Sequence, residues 1–432
     1  FFEGEPMKIN GTNPKPRSGL TAVLDIGTSK ICCLIAKSNV DRGPYGDSGP
    51  KIVGIGSHQS KGIRNGAVVD LDAAEHAIRA AVERAEQMAG DNIDTVTMNL
   101  SAGKPKSKMV ACEVAIGGHD ITDHDMRRLL DPSSLLGEAP DDRDIIHKIP
   151  VGFSVDGNRG VRDPIGMYGN TLGVNVHMVT AAMAPLRNLK TVVERCHLEV
   201  GDIVVSPYAS ALACLVEDEM RMGATCVDIG GGTTGISVFF DGELVHTDVI
   251  PAGGNHITND IARGLSTPFA HAERMKTLYG TCLPSASDDG EVIQVPLVGE
   301  NDETGTVQVP RSMLIGIIRP RVEEIIDLVK QRLQKAGFEQ LAGRVVLTGG
   351  TSQLTGVSEM ASQVFAHPVR IAAPQPIDGL AEAVSGPCFS TSAGLLRYAL
   401  ATPDQTIEAA IDMDRPPEGL IGKLGYWLRE NF

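Results

Sequence analysis

A duplicated two-domain α/β fold with a small inserted α+β subdomain is the architecture this sequence predicts. The first observation is internal. Leu24-Asp25-Ile26-Gly27-Thr28-Ser29-Lys30 and Val227-Asp228-Ile229-Gly230-Gly231-Gly232-Thr233-Thr234-Gly235 share one grammar: an apolar strand ending in Asp, a turn of glycine and hydroxyl residues, and a second apolar strand. The second is that strand and helix periodicities alternate around both copies, as in α/β proteins. The third is a change of texture between about 103 and 178, where short strands, one charged helix and many turn signals replace that alternation.

Composition sets the bounds. A chain of 432 residues, 42% of them apolar, can bury two sizeable cores. Its 48 glycines suit tight turns and backbone-lined sites, while 4% aromatics leave few platforms for single-stranded nucleic acid. A net charge of −15 excludes phosphate-backbone binding as the main task, so no nucleic-acid partner is expected. The eight cysteines form no CxxC pair and read as buried, reduced thiols of a cytoplasmic protein. No apolar run approaches the ~20 residues that span a bilayer. Residues 1–18 read as a disordered leader, with Met7 as the expected natural start.

Strands are expected at 21–25 and 31–36, a loop at 39–50, a strand at 51–57, and a helix near 70–90, where Leu71, Ala74, Ile78, Ala81 and Ala85 keep the helical period. A strand at 96–100 precedes the inserted segment, whose one helix lies around 122–130. Alternation resumes with strand 175–181, helix 185–196, strand 202–206 and helix 208–217. The opening hairpin recurs over 225–250, followed by a helix-rich region from 257 to about 335, broken by turns at 280–305. Pro320 is read as the first residue of a helix, where it loses no internal hydrogen bond. Strand 344–348 and helices 354–365 and 390–400 close the body. The expected divisions are a first half of 19–102 and 179–218, an insert of 103–178, and a second half of 219–400 with a smaller subdomain at about 258–335. An acidic tether of 401–418 and a terminal helix of 419–432 follow.

A glycine-rich turn points successive backbone N–H groups into one concavity, which suits phosphate oxygens. Hydroxyls add donors, and an aspartate beside the turn can hold magnesium through water. One such turn is equally an ordinary β-turn in which Asp and Thr cap their own backbone. Two copies in matching strand context point to a triphosphate clasped from both sides. A third turn, Thr348-Gly349-Gly350-Thr351, ends another apolar strand and lets a flat base or ribose approach the backbone closely. Neither a Walker GxxxxGK[ST] nor a GxGxxG in a βαβ unit is present, which removes the commoner nucleotide folds.

These three turns, in this order, resemble the two phosphate motifs and the adenosine motif of the superfamily of actin, heat-shock chaperones and sugar kinases. The resemblance implies an actin-like (ribonuclease H-like) fold, with Pro207-Tyr208-Ala209-Ser210-Ala211 and Ser392-Ala393-Gly394 in its two connecting helices. VDIGGGTTGISVF, PAGGNHITNDIA, AERMK, RPRVEEI, VVLTGG and GLIGKLGYWLRENF narrow it to FtsA, a family of bacterial cell-division proteins, and DGNRGVRDPIGMYGNTLGV matches that family's inserted subdomain.

The resemblance implies ATP and magnesium as cofactors. Asp25 and Asp228 would face the metal through water and are the only candidates for a catalytic role. Gly27, Thr28, Ser29, Lys30, Gly230, Gly231, Gly232 and Thr233 would line the phosphate clasp. Gly253 and Gly254 join the nucleotide site, Gly349 and Gly350 pack under adenosine, and Glu273 and Lys276 reach base and ribose. That last pair is otherwise an ordinary solvated i,i+3 couple. Chaperone-type and MreB-type relatives carry a Glu before the proline of the first connecting helix. Here Ser206 stands there, and losing a positioned base typically costs 10²–10⁴-fold in rate, so slow hydrolysis is expected. The family's role implies self-assembly into filaments, the C-terminal peptide of tubulin-like FtsZ as a partner docked at about 258–335, and later division proteins. It also implies a peripheral position at the division site, on the inner face of the cytoplasmic membrane.

In the last 14 residues, Leu420, Ile421, Leu424, Trp427 and Leu428 make one helical stripe flanked by Lys423 and Arg429. Trp favours a bilayer interface, so the stripe reads as an anchor for an anionic membrane surface, with a terminal helix docked on the body as the alternative. Five side chains at roughly 1.5–3 kcal/mol each, reduced by partial insertion and helix ordering, make one copy reversible. A filament would add avidity. The rival functions on the same fold are a small-molecule kinase, which would need a base carboxylate in the cleft, and a chaperone-type ATPase, which would need the missing Glu.

Overall fold

The computed structural model describes residues 19–37, 50–130, 142–300, 305–338 and 343–401. The expected leader, all but the first residue of the tether, and the helix of 419–432 lie outside them. The described chain forms two compact units, one built on 19–107, 142–146 and 179–400, the other on 108–130 and 147–178.

The first unit opens with β1 (Leu20–Ile26), β2 (Lys30–Lys37) and β3 (Lys51–Gln59), then the short pair β4 (Ile63–Arg64) and β5 (Ala67–Val68), helix α1 (Leu71–Ala89) and β6 (Thr95–Leu100). β1 and β2 are apolar and buried along nearly their whole length because both faces of their sheet are covered. Asp70 caps α1 by accepting from the Ala73 amide at 3.0 Å. The second unit contributes β7 (Lys106–Asp120), α2 (Asp123–Leu129), β8 (Arg143–Val155), β9 (Asn158–Val161) and β10 (Tyr168–Ala182), in the sheet order β7-β10-β8-β9. Ile116, Ile121, Leu129, Phe153 and Leu172 are buried in it.

The chain then returns through α3 (Met183–Arg195), β11 (Glu199–Val205), α4 (Ser206–Cys214) and α5 (Glu217–Met222). The sequence places Ser206 at the end of a strand and one helix over 208–217. Instead the helix starts at Ser206 with Pro207 in its first turn, and an extended Leu215 divides the stretch in two. The second half runs through β12 (Ala224–Ile229), β13 (Thr234–Phe240), β14 (Glu243–Ile250), α6 (Gly254–Gly264), α7 (Phe269–Tyr279), β15 (Val292–Pro296) and β16 (Thr306–Pro310). It closes with α8 (Arg311–Ala336), β17 (Arg344–Thr348), α9 (Val357–Phe365), β18 (Val369–Ile371) and α10 (Ser390–Leu400).

The duplication is explicit in the topology. One sheet has the order β11-β6-β1-β2-β3 and the other β18-β17-β12-β13-β14. In each, the first hairpin strand pairs antiparallel with the second and parallel with the strand on its other side. The register sets Leu24 opposite Met98 and Asp228 opposite Thr348, so Asn99 and Thr348 occupy equivalent positions beside the two aspartates.

Two expectations need correction. Pro320 does not begin a helix; it lies inside the 26-residue α8. An interior proline costs about 3 kcal/mol, but Leu314, Ile315 and Ile318 before it and Val322, Ile325 and Ile326 after it are all buried. At ~1.5–3 kcal/mol per buried side chain, continuing the helix outweighs the break. The second correction concerns α10, which the sequence division groups with the second half. Its Leu395 and Leu396 pack with Val23, Cys32 and Leu34 of the first sheet. Conversely, α4 lies on the second sheet, where Ser237 Oγ donates to the Pro207 carbonyl at 2.5 Å and the Tyr208 and Phe239 rings stand 6.2 Å apart. Each half's closing helix therefore packs on the other half's sheet. The two cross where a Cβ on Gly394 would overlap the Ala209 carbonyl oxygen.

Candidate functional site

The two turns close alike. Gly27 N–H donates to the Lys30 carbonyl at 3.0 Å, and Gly230 N–H to the Thr233 carbonyl at 2.9 Å. The amides of Gly254 and Asn255, at the start of α6, donate to the Gly230 and Gly231 carbonyls at 2.9 and 2.7 Å. That fixes the carbonyl side of the second turn. Among the described residues, the amides of Thr28, Ser29, Gly231 and Gly232 find no protein acceptor. All four residues line one cavity, and donors converging on one concavity would form an anion cradle. Glycine is required there by close approach: a Cβ on Gly232 would come 2.8 Å from Thr28 Cγ2 and 2.9 Å from its Cβ.

The cavity holds about 380 Å³ and is lined from both sheets, a size within the usual range for small-molecule sites. The positions named from sequence all line it except Gly253. A Cβ on Gly253 would meet the Gly230 carbonyl oxygen at 2.5 Å, so this glycine lets α6 sit behind the second turn. Gly349 lines the cavity and has a second reason to be glycine. Its φ of 86° is left-handed, and a Cβ there would overlap Asp228 Oδ1 and lie 2.6 Å from the Ile229 carbonyl oxygen. The missing side chain makes room for the aspartate. Gly349→Ala is thus expected to displace Asp228, with loss of Tm in thermal unfolding well beyond that of Gly350→Ala. Gly350 has only Cys388 Cβ nearby, at 3.6 Å.

Both aspartates are held by neutral donors. Asn99 Nδ2 donates to Asp25 Oδ1 at 3.0 Å and Ser392 Oγ to Asp25 Oδ2 at 2.8 Å. Ser210 Oγ donates to Asp228 Oδ2 at 2.5 Å and Thr391 Oγ1 to the same oxygen at 3.1 Å. Burial pushes the Asp25 carboxyl up to about 6 against the pull of Lys30 and Ser392, and burial raises Asp228 likewise. Lys30 Nζ donates to the Cys388 carbonyl at 2.6 Å and stands 3.1 Å over the centre of the Phe389 ring. At the far end Lys276 Nζ pairs with Glu273 Oε2 at 2.7 Å and also donates to the Gly254 carbonyl at 3.2 Å. The i,i+3 couple thus lines the cavity, with Lys276 largely buried and the Glu273 side chain still 44% exposed.

Ser206 Oγ accepts from Asn99 Nδ2 at 3.0 Å and lies 2.7 Å from Ser101 Oγ. Sequence reasoning missed Asn99 and Ser101 because nothing in TVTMNLSAG marks them; their partners lie in distant segments. Among the described residues no three His, Cys, Asp or Glu side chains converge into a direct metal cage. Magnesium would fit this site as it commonly does elsewhere, through one or two carboxylates, phosphate oxygens and water.

Comparison with known proteins bears on the family and the fold. Residues 225–394 match the family described as "Cell division protein FtsA", and 102–180 match the "SHS2 domain inserted in FTSA". The chain is 42% identical to the cell division protein FtsA of Rhizobium meliloti, over 97% of this chain and 96% of that protein. It is 32% identical to the Escherichia coli protein of the same name, over 96% and 98%. Among solved structures, a chain of the "PilM-PilN type IV pilus biogenesis complex" matches 88% of this chain and 99% of its own, with a TM-score of 0.61 at 16% identity. MreB5 of Spiroplasma citri, solved bound to ADP, matches 89% and 97%, with a TM-score of 0.51 at 14% identity. The last two likenesses carry the fold alone, which is actin-like. With relatives this similar over nearly the whole chain, the protein belongs to the FtsA family of cell division proteins.

Proposed function

We propose that this chain binds ATP with magnesium between its two sheets, assembles into filaments, and anchors the FtsZ ring and later division proteins to the cytoplasmic face of the bacterial inner membrane. The observation that carries the reading is the pair of matching turns from duplicated halves, with free amides and two buried aspartates on one cavity. Asp25 and Asp228 would hold the cation through water, the two turns the phosphates, and Glu273, Lys276 and Gly350 the nucleoside. Bound nucleotide supplies binding energy shared by both halves, which favours one interdomain angle without cleavage.

Three carboxylates line the cavity: Asp25, Asp228 and Glu273, the last paired with Lys276. Ser206, at the place of the relatives' Glu, has its hydroxyl engaged by Asn99 and Ser101. Hydrolysis is therefore slow, and the nucleotide acts as a staple. Docking of the FtsZ peptide at about 258–335 is supported by the exposed Phe269, Leu278, Tyr279 and Met313. Among the described residues no helix is long and apolar enough to cross a membrane, and the stripe of Leu420, Ile421, Leu424, Trp427 and Leu428 is read as the peripheral anchor.

Vesicle flotation tests the reading. The full chain with ATP is expected to float with anionic vesicles, more strongly than without nucleotide, and a chain ending at Glu418 to remain in solution. Equal flotation of both chains would remove the anchor from the proposal.

A further inference from the structure

The hydroxyls at the helix crossing have no packing reason to be there. Where α4 and α10 meet, contact is made by Ala209 and Gly394, and small apolar residues would serve equally well around them. Ser210 and Ser392 are nevertheless fully buried at that crossing, with Thr391 beside them. Ser392 donates to Asp25, while Ser210 and Thr391 both donate to Asp228, their own oxygens 2.9 Å apart. A buried hydroxyl needs a partner, and here each partner is one of the two cleft carboxylates. One side of each carboxylate is thereby tied to the pair of helices that joins the halves.

We propose that Ser210, Thr391 and Ser392 are positioning residues that fix the two cleft aspartates to the helix crossing, so that the cation accompanying a nucleotide engages the joint between the halves. This rests on the nucleotide reading above. Hydrogen bonds hold each carboxylate in one rotamer, and the rotamer sets where each would meet a hydrated cation. Tilting one helix against the other moves the hydroxyls, then the carboxylates. By reciprocity, a cation that prefers one placement of the carboxylates favours one tilt.

The test uses two substitutions of Thr391 in the full chain. Thr391→Val keeps the shape and removes the hydroxyl; Thr391→Ser keeps the hydroxyl and removes a methyl. Equilibrium binding of ATP is measured with magnesium and with chelator, beside the distance between spin labels on the two halves. Removing a hydrogen bond to a charged group is expected to cut the magnesium-dependent gain in affinity roughly ten-fold in Thr391→Val. Affinity in chelator should fall by less than affinity with magnesium, and the label-to-label shift on adding magnesium should shrink. Thr391→Ser should behave as the parent. Equal magnesium dependence in the two variants overturns the proposal. A parent that binds no nucleotide at all overturns the reading beneath it instead. Ser210→Ala supplies an independent arm: retention of full magnesium dependence there would also count against the assignment to Asp228.

Discussion

Gly394→Ala is expected to lower Tm by a few degrees and to weaken nucleotide binding, although alanine is the better helix former. In an exposed helix interior the exchange adds roughly 0.5–1 kcal/mol of stability. At Gly394 the new methyl would overlap the Ala209 carbonyl oxygen and crowd its carbonyl carbon. That oxygen belongs to the backbone of α4 and cannot turn aside as a side chain would. The helices must separate, which moves Leu395 and Leu396 off the first sheet and α4 off the second. Overpacking of a core costs typically 1–3 kcal/mol, and here the shift also carries Ser210 and Ser392 away from their aspartates. Gly316→Ala is the internal comparison. It lies in α8 with nothing near its added Cβ, so the same substitution should raise stability there. Thermal unfolding of the two variants checks the opposite signs; two shifts of the same sign would refute the role given to the crossing.

How much of this was legible in the sequence depends on the range of the interaction. The hairpin turns were readable because Asp, Gly and hydroxyl residues act within a few positions of one another and occur twice. Helix α1 was readable from Ala74, Ile78, Ala81 and Ala85, whose period reports one covered face, while Leu71, counted with them in the sequence, is exposed. Helix α8 was misread because proline is a local signal, whereas the burial that carries the helix through Pro320 is tertiary. The exchange of α4 and α10 between sheets was not legible in periodicity, since an apolar stripe reports that a face is covered and not by which sheet; only the resemblance set both as helices connecting the halves. Asn99 was invisible for the same reason: it bonds Asp25 and Ser206, which are 74 and 107 positions away. Gly349 was found, but the crowding of Asp228 against it was not, because that is set by a register between two strands.

Asp25→Asn is expected to stabilise the nucleotide-free protein at neutral pH while removing magnesium-dependent binding. Burial holds this carboxyl at about 6, against an ordinary value of 3.8. Between those values the folded chain binds more protons than the unfolded one, so stability falls as pH rises through the window and stays low above it. The difference corresponds to about 3 kcal/mol, and the group is fully buried, so solvent screening gives no relief. Asparagine removes the charge at nearly constant shape. Its oxygen can accept from Asn99 Nδ2, and the Ser392 hydroxyl can turn to accept from its amide. Urea unfolding should show the variant more stable than the parent by roughly 1–3 kcal/mol at pH 7.5, with the gap narrowing toward pH 4. A gap that does not change with pH would mean that the charge on Asp25 is not what strains the empty cleft. Isothermal titration of the same variant should show the other side of the exchange. A carboxylate kept charged where it is buried costs the fold stability, and a cation would recover that cost on binding. Without the charge, the nucleotide has lost what drew its magnesium to Asp25.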